Sequence, residues 1–290
     1  MIGTLDQGFW PDGIYTAPSD AALLWDIEIT KKFGFNIIRK HIKTEPARWY
    51  HYCDKLGIIV LQDMPNGGNM RLIPPGMIKY LLGGKYDDTT HHRKFGFKEQ
   101  KHRLQFEKEL KELVDSLYNV PSIAIWVTFN EAWGQFDAKR IANWLIKYDP
   151  TRLVDHASGW YDQEAGHFLS VHNYNDTFRM PKDIRNRGVL LSETGGYTLG
   201  LKNHMWNPKK KFGYKSYKNK EELHQAYRNM VETILGPSIQ KGLCGVVYTQ
   251  TSDVEIEYNG LVSYDRQVIK MDPDIIRELN MSLREIIPKP

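Results

Sequence analysis

Cysteine is scarce. The 290 residues hold two, Cys53 and Cys244, each set among apolar neighbours, one in an apparent helix and one in an apparent strand. Both read as buried free thiols, and they leave the redox compartment open. Long apolar runs are missing too. Nothing approaches the ~18 consecutive apolar residues of a membrane-spanning helix, so no membrane partner is expected, and no signal peptide is visible. Neither sign of charge dominates: 39 basic residues face 35 acidic ones, for a net charge of +4. That balance argues against a nucleic-acid or membrane-surface role and makes Lys209-Lys210-Lys211 a solvated loop. No Gly-x-Gly-x-x-Gly follows the first strand, which removes the support for a dinucleotide cofactor. The His91-His92 pair has no third ligand at metal spacing. No metal and no cofactor are expected.

What the chain does contain is a rhythm. Short apolar runs alternate with amphipathic helical stretches. "GTLDQG" opens the chain, and the later runs are 35–41, 57–65, "SIAIWVTFNE", 152–160, 168–174, 188–196 and 242–250. Runs of this kind separated by helices predict a parallel sheet. Eight of them predict a closed (β/α)8 TIM barrel, an α/β fold occupying residues 1–290 as a single domain. Glu45 and Pro46 are read as the first turn of the second helix. Two long loops, 64–98 after strand three and 195–219 after strand seven, leave the strand ends that carry the active site in such barrels.

Polar side chains gather at those same ends. Arg39 and His41 close strand two, Asp63 strand three, Asn130 and Glu131 strand four, Ser158 and Trp160 strand five. His172 and Tyr174 close strand six, Glu193 strand seven, Tyr248 and Gln250 strand eight. Burying them without partners would cost about 1–3 kcal/mol per group, so they need one another or a ligand. Glu131 and Glu193 face one mouth, and two carboxyl groups are what glycosidic bond hydrolysis requires. One protonates the leaving oxygen while the other attacks or activates water, and Arg39 would keep the attacking group ionised. Trp133, Trp160 and Trp206 read equally as sugar platforms or as rim packing. Glu255 and Glu257 read as loop charges, with a sugar subsite as the alternative.

In order along the chain, "WVTFNEAWGQ", "TRLVDHASGW", "VHNY", "LLSETGG" and "YTQTSDVEIEYNGLVSYDR" resemble the catalytic barrel of glycoside hydrolase family two, the group of β-galactosidases, β-glucuronidases and β-mannosidases. The resemblance runs from about residue 3 to residue 285. It implies a retaining β-glycosidase of β-galactosidase-like type, cleaving terminal sugars from oligo- or polysaccharides by double displacement. Glu131 would be the general acid/base and Glu193 the nucleophile. Asn130 would bond the sugar's 2-hydroxyl, Arg39 and Tyr174 would orient Glu193, and His41, Asp63 and His172 would line the sugar site. Trp160 and Tyr248 complete the expected substrate-binding set.

Two positions depart from the family pattern: Thr194 stands where an aromatic is frequent, and Tyr248 where tryptophan is usual. Asn207-Pro208-Lys209 matches the Asn-x-Lys pattern of glucuronidases but falls too soon after Glu193 to be its counterpart. The family's β-sandwich domains, which often complete the substrate site, are not legible in this stretch of sequence, and its N-terminus fits a domain taken from something longer. The alternatives are a carbohydrate-binding barrel or a catalytically impaired fragment, and a metal-dependent barrel hydrolase built on the scattered His41, Asp63 and His172. A carbohydrate is the expected partner, with oligomerisation left open. Location is also open, the resemblance being compatible with a periplasmic or secreted bacterial setting.

Overall fold

A computed structural model describes residues 1–67 and 87–286. Its main sheet has eight strands: β1 (Ile2–Asp6), β2 (Ile37–Lys40), β3 (Ile59–Asp63), β4 (Ile123–Val127), β5 (Leu153–Asp155), β6 (Phe168–Asn173), β7 (Gly188–Gly195) and β10 (Leu243–Thr249). Their order is β5-β4-β3-β2-β1-β10-β7-β6, and every ladder is parallel. β5 and β6 come back together without a ladder of their own, which leaves a nearly closed barrel. A two-stranded parallel pair, β8 (Tyr197–Thr198) and β9 (Lys215–Ser216), folds the loop after β7 back on itself.

Leu5, Ile37, Leu61, Ile125, Val127, Phe168, Leu190 and Val247 point inward and fill the barrel. Each is worth about 1.5–3 kcal/mol when fully buried. The outward residues of the same strands meet helices α1 (Asp20–Lys32), α2 (Ala47–Leu56), α3 (Gln100–Leu117), α4 (Ala138–Tyr148), α5 (Lys220–Met230), α6 (Gly236–Gln240) and α7 (Pro273–Arg284). α4 buries Ala138, Ile141, Ala142 and Leu145, the i, i+3, i+4, i+7 stripe of a helix lying on a sheet. α7 starts with Pro273 behind an Asp272 cap, and α2 stops at Gly57 in the left-handed region. Both cysteines are free and turned into packing.

The second helix begins later than its sequence suggested. Pro46 is the cap and Ala47 the first helical residue, so Glu45 lies outside. It is buried instead as a partner for Lys40 (2.9 Å) and Lys43 (2.8 Å), and Lys40 also pairs with Asp6 (2.6 Å). Strand alternation explains the demand: Arg39 points into the barrel, so Lys40 must point out beneath α2, where it also lies over the Trp49 ring. The helical role given to Glu45 lost to the cost of a buried ammonium. Most of the expected loop after β3, including "MRLIPPGM", lies outside the described residues.

Candidate active site

Arg39 organises the mouth. It is fully buried at the end of β2. Its Nε and Nη2 grip both oxygens of Asp63 at 3.0 and 2.9 Å. Nη2 also donates to Asn130 Oδ1 (2.8 Å), and Nη1 donates to Glu193 Oε1 (3.1 Å) and to the Ser192 carbonyl (3.1 Å). Holding Oδ1 fixes the Asn130 amide and leaves its Nδ2 without a partner among the described residues. His41 Nδ1 lies 3.1 Å from Asp63 Oδ2. Burial pushes the Asp63 carboxyl up, but Arg39 and His41 outweigh it and hold the group below its ordinary range.

Glu193 should by strict alternation face the helices. Leu190 points into the barrel and Leu191 out of it. Leu191 and Glu193, two apart, pair with the consecutive residues Val171 and His172 of β6, and the ladder to β10 shifts over the same residues. Ser192 is therefore the extra residue of a β-bulge, which turns Glu193 into the mouth. Burial would raise its pKa. The charges of His172, Arg39 and His41 and the Tyr174 hydroxyl together hold it below the ordinary Glu value. The Tyr174 hydroxyl donates to Glu193 Oε2 and also lies 3.2 Å from Thr249 Oγ1. Burial, then Glu193, push the Tyr174 pKa far up, so that hydroxyl keeps its proton.

Glu131 is reached through a strained turn. Glu131 (φ 49°) and Ala132 (φ 62°) both occupy the left-handed region, at roughly 1–3 kcal/mol each. The Glu131 amide donates to the Ser158 carbonyl at 2.9 Å, which pins the turn to the end of β5. His172 stands between the two carboxylates. Its Nδ1 is 2.9 Å from Glu131 Oε1, and its Nε2 is 2.9 Å from Ser158 Oγ and 3.5 Å from Glu193 Oε1. Ligand atoms of Glu131, His172 and Glu193 all fall within 4.8 Å of one another. A cation held by such a set would take one imidazole nitrogen and displace the bond which that nitrogen makes to Glu131 or to Ser158. Gly159 makes room for the ring: a Cβ there would sit 2.7 Å from His172 Nδ1.

These groups open on a cavity of about 340 Å³, lined by His41, Glu131, Trp133, Tyr174 and Glu193 together with Gln7, Phe212, Tyr214, Thr249, Glu257 and Asn259. A larger groove of about 720 Å³ runs outside the barrel along α5 and includes neither carboxylate. The smaller cavity is the candidate because the ionisable groups converge on it.

Of the expected binding residues, Arg39 and Asp63 form the wall behind Glu193. Trp160 packs against the small cluster of Phe95, Ala132 and Tyr161 and is not among the cavity-lining residues. Tyr248 is placed differently from its expected role. It is 1% exposed and packs outside the barrel against Tyr197 and Tyr227, with its hydroxyl unpartnered among the described residues. Val247 points inward, so Tyr248 must point outward, and the next residue, Thr249, reaches the cavity instead. Asn207 Oδ1 accepts from the Lys209 amide, so that tripeptide forms a local turn. Trp206 is half-exposed against Tyr264.

Sequence reasoning missed Tyr214, which stacks on Tyr174 with centroids 3.5 Å apart. The only signal for it was the long loop that carries it. Gln7, Thr249 and Asn259 were missed as well, although each lies within a run that was singled out.

The family model for the TIM barrel domain of glycosyl hydrolases family 2 matches residues 17–193, more than half of the chain. The chain belongs to glycosyl hydrolase family 2. Among curated relatives it is 22% identical over 210 residues to a β-galactosidase of Leuconostoc mesenteroides, a match covering 67% of this chain and 18% of that protein. It is 27% identical over 147 residues to a β-galactosidase of Klebsiella pneumoniae, covering 51% and 12% respectively. Among solved structures, a family 2 β-galacturonidase from Eisenbergiella tayi bound to galacturonate superimposes with a TM-score of 0.69 at 16% identity, over 97% of this chain and 50% of that one. Bacteroides uniformis β-glucuronidase 3 gives 0.64 at 14% identity, over 96% and 36%. The structural likenesses establish the barrel. The matches span less than a fifth of these two β-galactosidases and half or less of these two solved chains.

Proposed function

We propose that this family 2 barrel hydrolyses β-glycosides with retention of configuration, with Glu193 as nucleophile and Glu131 as general acid/base. The observation that carries this reading is the pairing of the two carboxylates. They share one cavity, have oxygens within 4.8 Å of each other, and are bridged by His172. Retaining enzymes set their carboxyl groups ~5–5.5 Å apart, whereas inverting enzymes leave ~6.5–9.5 Å for a water. A Glu193 held below its ordinary pKa is ionised and ready to attack.

In the first step a Glu193 oxygen bonds the anomeric carbon as the glycosidic C–O bond breaks, and Glu131 gives its proton to the departing oxygen. In the second, Glu131 takes a proton from water. That water attacks the anomeric carbon, the ester to Glu193 breaks, and the sugar leaves with its original configuration. Arg39 and Tyr174 hold the nucleophile's two oxygens, and Asn130 Nδ2 is the donor left for a hydroxyl of the sugar. The expected substrate is a terminal sugar on an oligo- or polysaccharide.

The test is a panel of aryl β-glycosides with Glu193→Ala. Turnover should fall by ~10⁴-fold or more, and added azide should restore it with a β-glycosyl azide as product. A variant that kept wild-type rates would overturn the assignment. Glu131→Ala should lose ~10²–10⁴-fold on poor leaving groups and much less on activated ones. The metal-dependent alternative was expected on His41, Asp63 and His172; the set that comes within ligand distance among the described residues is Glu131, His172 and Glu193, and this reading requires that a chelator abolish activity and added divalent cation restore it.

A further inference from the structure

Double displacement uses two carboxyl groups, and the cavity has a third. Glu257 follows β10 in a tight turn closed by reciprocal Val254–Glu257 backbone bonds of 3.1 and 2.9 Å. The Phe212 amide donates to the Ile256 carbonyl at 2.9 Å, which fastens this turn to the loop after β7. The carboxylate is therefore built into place. Its Oε2 accepts from Gln250 Nε2 at 3.1 Å and lies 3.4 Å from Gln7 Nε2. Its Oε1 takes no hydrogen bond from the described residues. Beside it stands Asn259, 1% exposed and lining the same cavity, with Nδ2 unpartnered. An acceptor and a donor are thus left over where the loop after β10 lines the cavity.

The charges around Glu257 fix what it can accept. Facing it are Glu193 from β7, Glu131 from the turn after β4, His41 from the end of β2 and the Tyr214 hydroxyl from the loop after β7. Burial, then Glu193 and Glu131, push its pKa up to about 7 against the pull of His41 and Gln250. Near neutral pH it carries a proton for part of the time and can donate as well as accept. No Lys or Arg among the described residues lines the cavity, and Arg39 is already committed to Asp63, Asn130 and Glu193.

Resting on the glycosidase reading above, we propose that Glu257 is a specificity-determining residue. It hydrogen-bonds a hydroxyl of a neutral sugar and excludes sugars bearing a carboxylate, the uronides. A uronate would bring a further negative charge into a cavity that already holds three carboxyl groups and presents no described Lys or Arg to it. Below neutral pH the proton on Glu257 can bridge the two carboxyl groups; above it both are anions and repel. Discrimination against uronides should therefore sharpen as pH rises. Glu131 and Glu193 repel a uronate as well, so the share that belongs to Glu257 is the part that Glu257→Gln removes.

The experiment measures kcat/KM from pH 5 to 9 for paired aryl substrates, a β-galactoside against a β-galacturonide and a β-glucoside against a β-glucuronide, on wild type, Glu257→Gln and Glu257→Asp. Wild type should prefer the neutral member by roughly 100-fold at pH 8, with the uronide-to-neutral ratio falling as pH passes through about 7. Glu257→Gln should raise that ratio at least tenfold at pH 8 and flatten its pH dependence, and Glu257→Asp should keep the wild-type trend. Equal use of both classes by wild type at pH 8 overturns the proposal. So does a pH slope that survives in Glu257→Gln, which would assign it to the other groups that face the cavity. If neither class is hydrolysed, the glycosidase reading fails separately. Discrimination is then read from equilibrium binding of galactose and galacturonate, where an unchanged ratio in Glu257→Gln overturns the proposal.

Discussion

Two groups of polar residues at the mouth are built on opposite terms. At the ends of β2, β3, β4 and β7, Arg39, Asp63, Asn130 and Glu193 satisfy one another almost completely, with the charged atoms at 2.8–3.1 Å and Arg39 without exposed surface. After β10, Gln250 and Gln7 hold one oxygen of Glu257, while its other oxygen and the Asn259 Nδ2 have no protein partner among the described residues. The first group is organised before any ligand arrives, which is what the proposed nucleophile Glu193 needs. The second keeps unspent polar groups, which is where a ligand finds its specificity.

Removing the centre of the self-satisfied group should do the greatest damage. Arg39→Ala strands a buried Asp63 and should cost about 3–5 kcal/mol in denaturant unfolding. Glu257→Gln, by contrast, should move stability by no more than ~0.5 kcal/mol, since it replaces an already half-neutral group by its isostere. Equal losses at the two sites would erase the contrast. Gly159→Ala comes next: the methyl collides with His172, displaces the imidazole that bridges both carboxylates, and should lower kcat/KM by roughly 100-fold while the fold survives.

Tyr174→Phe is subtler. The folded pKa of Glu193 lies below its ordinary value of 4.5, so its contribution to stability is present above that value and is lost as pH falls through the folded one. The acidic limb of the rate profile should accordingly sit below the ordinary Glu range, and losing the tyrosine hydroxyl should move it up toward that range. Tyr248→Phe should have the smallest effect. Its hydroxyl is buried with no well-formed hydrogen bond, the Tyr197 backbone being its nearest polar neighbour, so activity should stay constant and stability should change by no more than ~1 kcal/mol. A drop in substrate affinity would return Tyr248 to the sugar site.

Tyr248 and Glu193 also show what could be read without coordinates. The eight apolar runs gave the strands, since buried parallel strands are written as continuous hydrophobic sequence. Tyr248 was legible as well: β10 alternates regularly, an inward Val247 forces it outward, and an analogy to the family's tryptophan obscured this. The inward aim of Glu193 is read from its place at a strand end, but strict alternation points it outward, and only pairing with the neighbouring strands exposes the bulge at Ser192 that turns it in. Glu45 was misassigned because a carboxylate before a helix looks the same whether it serves the helix dipole or a buried lysine. The contacts of Tyr214 and Glu257 depend on how one loop rests on another, and loops have no period to read.

The stack of Tyr214 on Tyr174 has a consequence for how this barrel can change. Loops at the C-terminal face of a barrel are commonly treated as exchangeable cassettes, varied for new substrates on an untouched catalytic frame. Here the 197–216 loop supplies the ring that backs Tyr174, and Tyr174 holds an oxygen of Glu193. On the proposed mechanism, substrate preference and the alignment of Glu193 are inherited together. A transplanted loop lacking an aromatic at position 214 would bring its own specificity and loosen the hold on Glu193 in the same step.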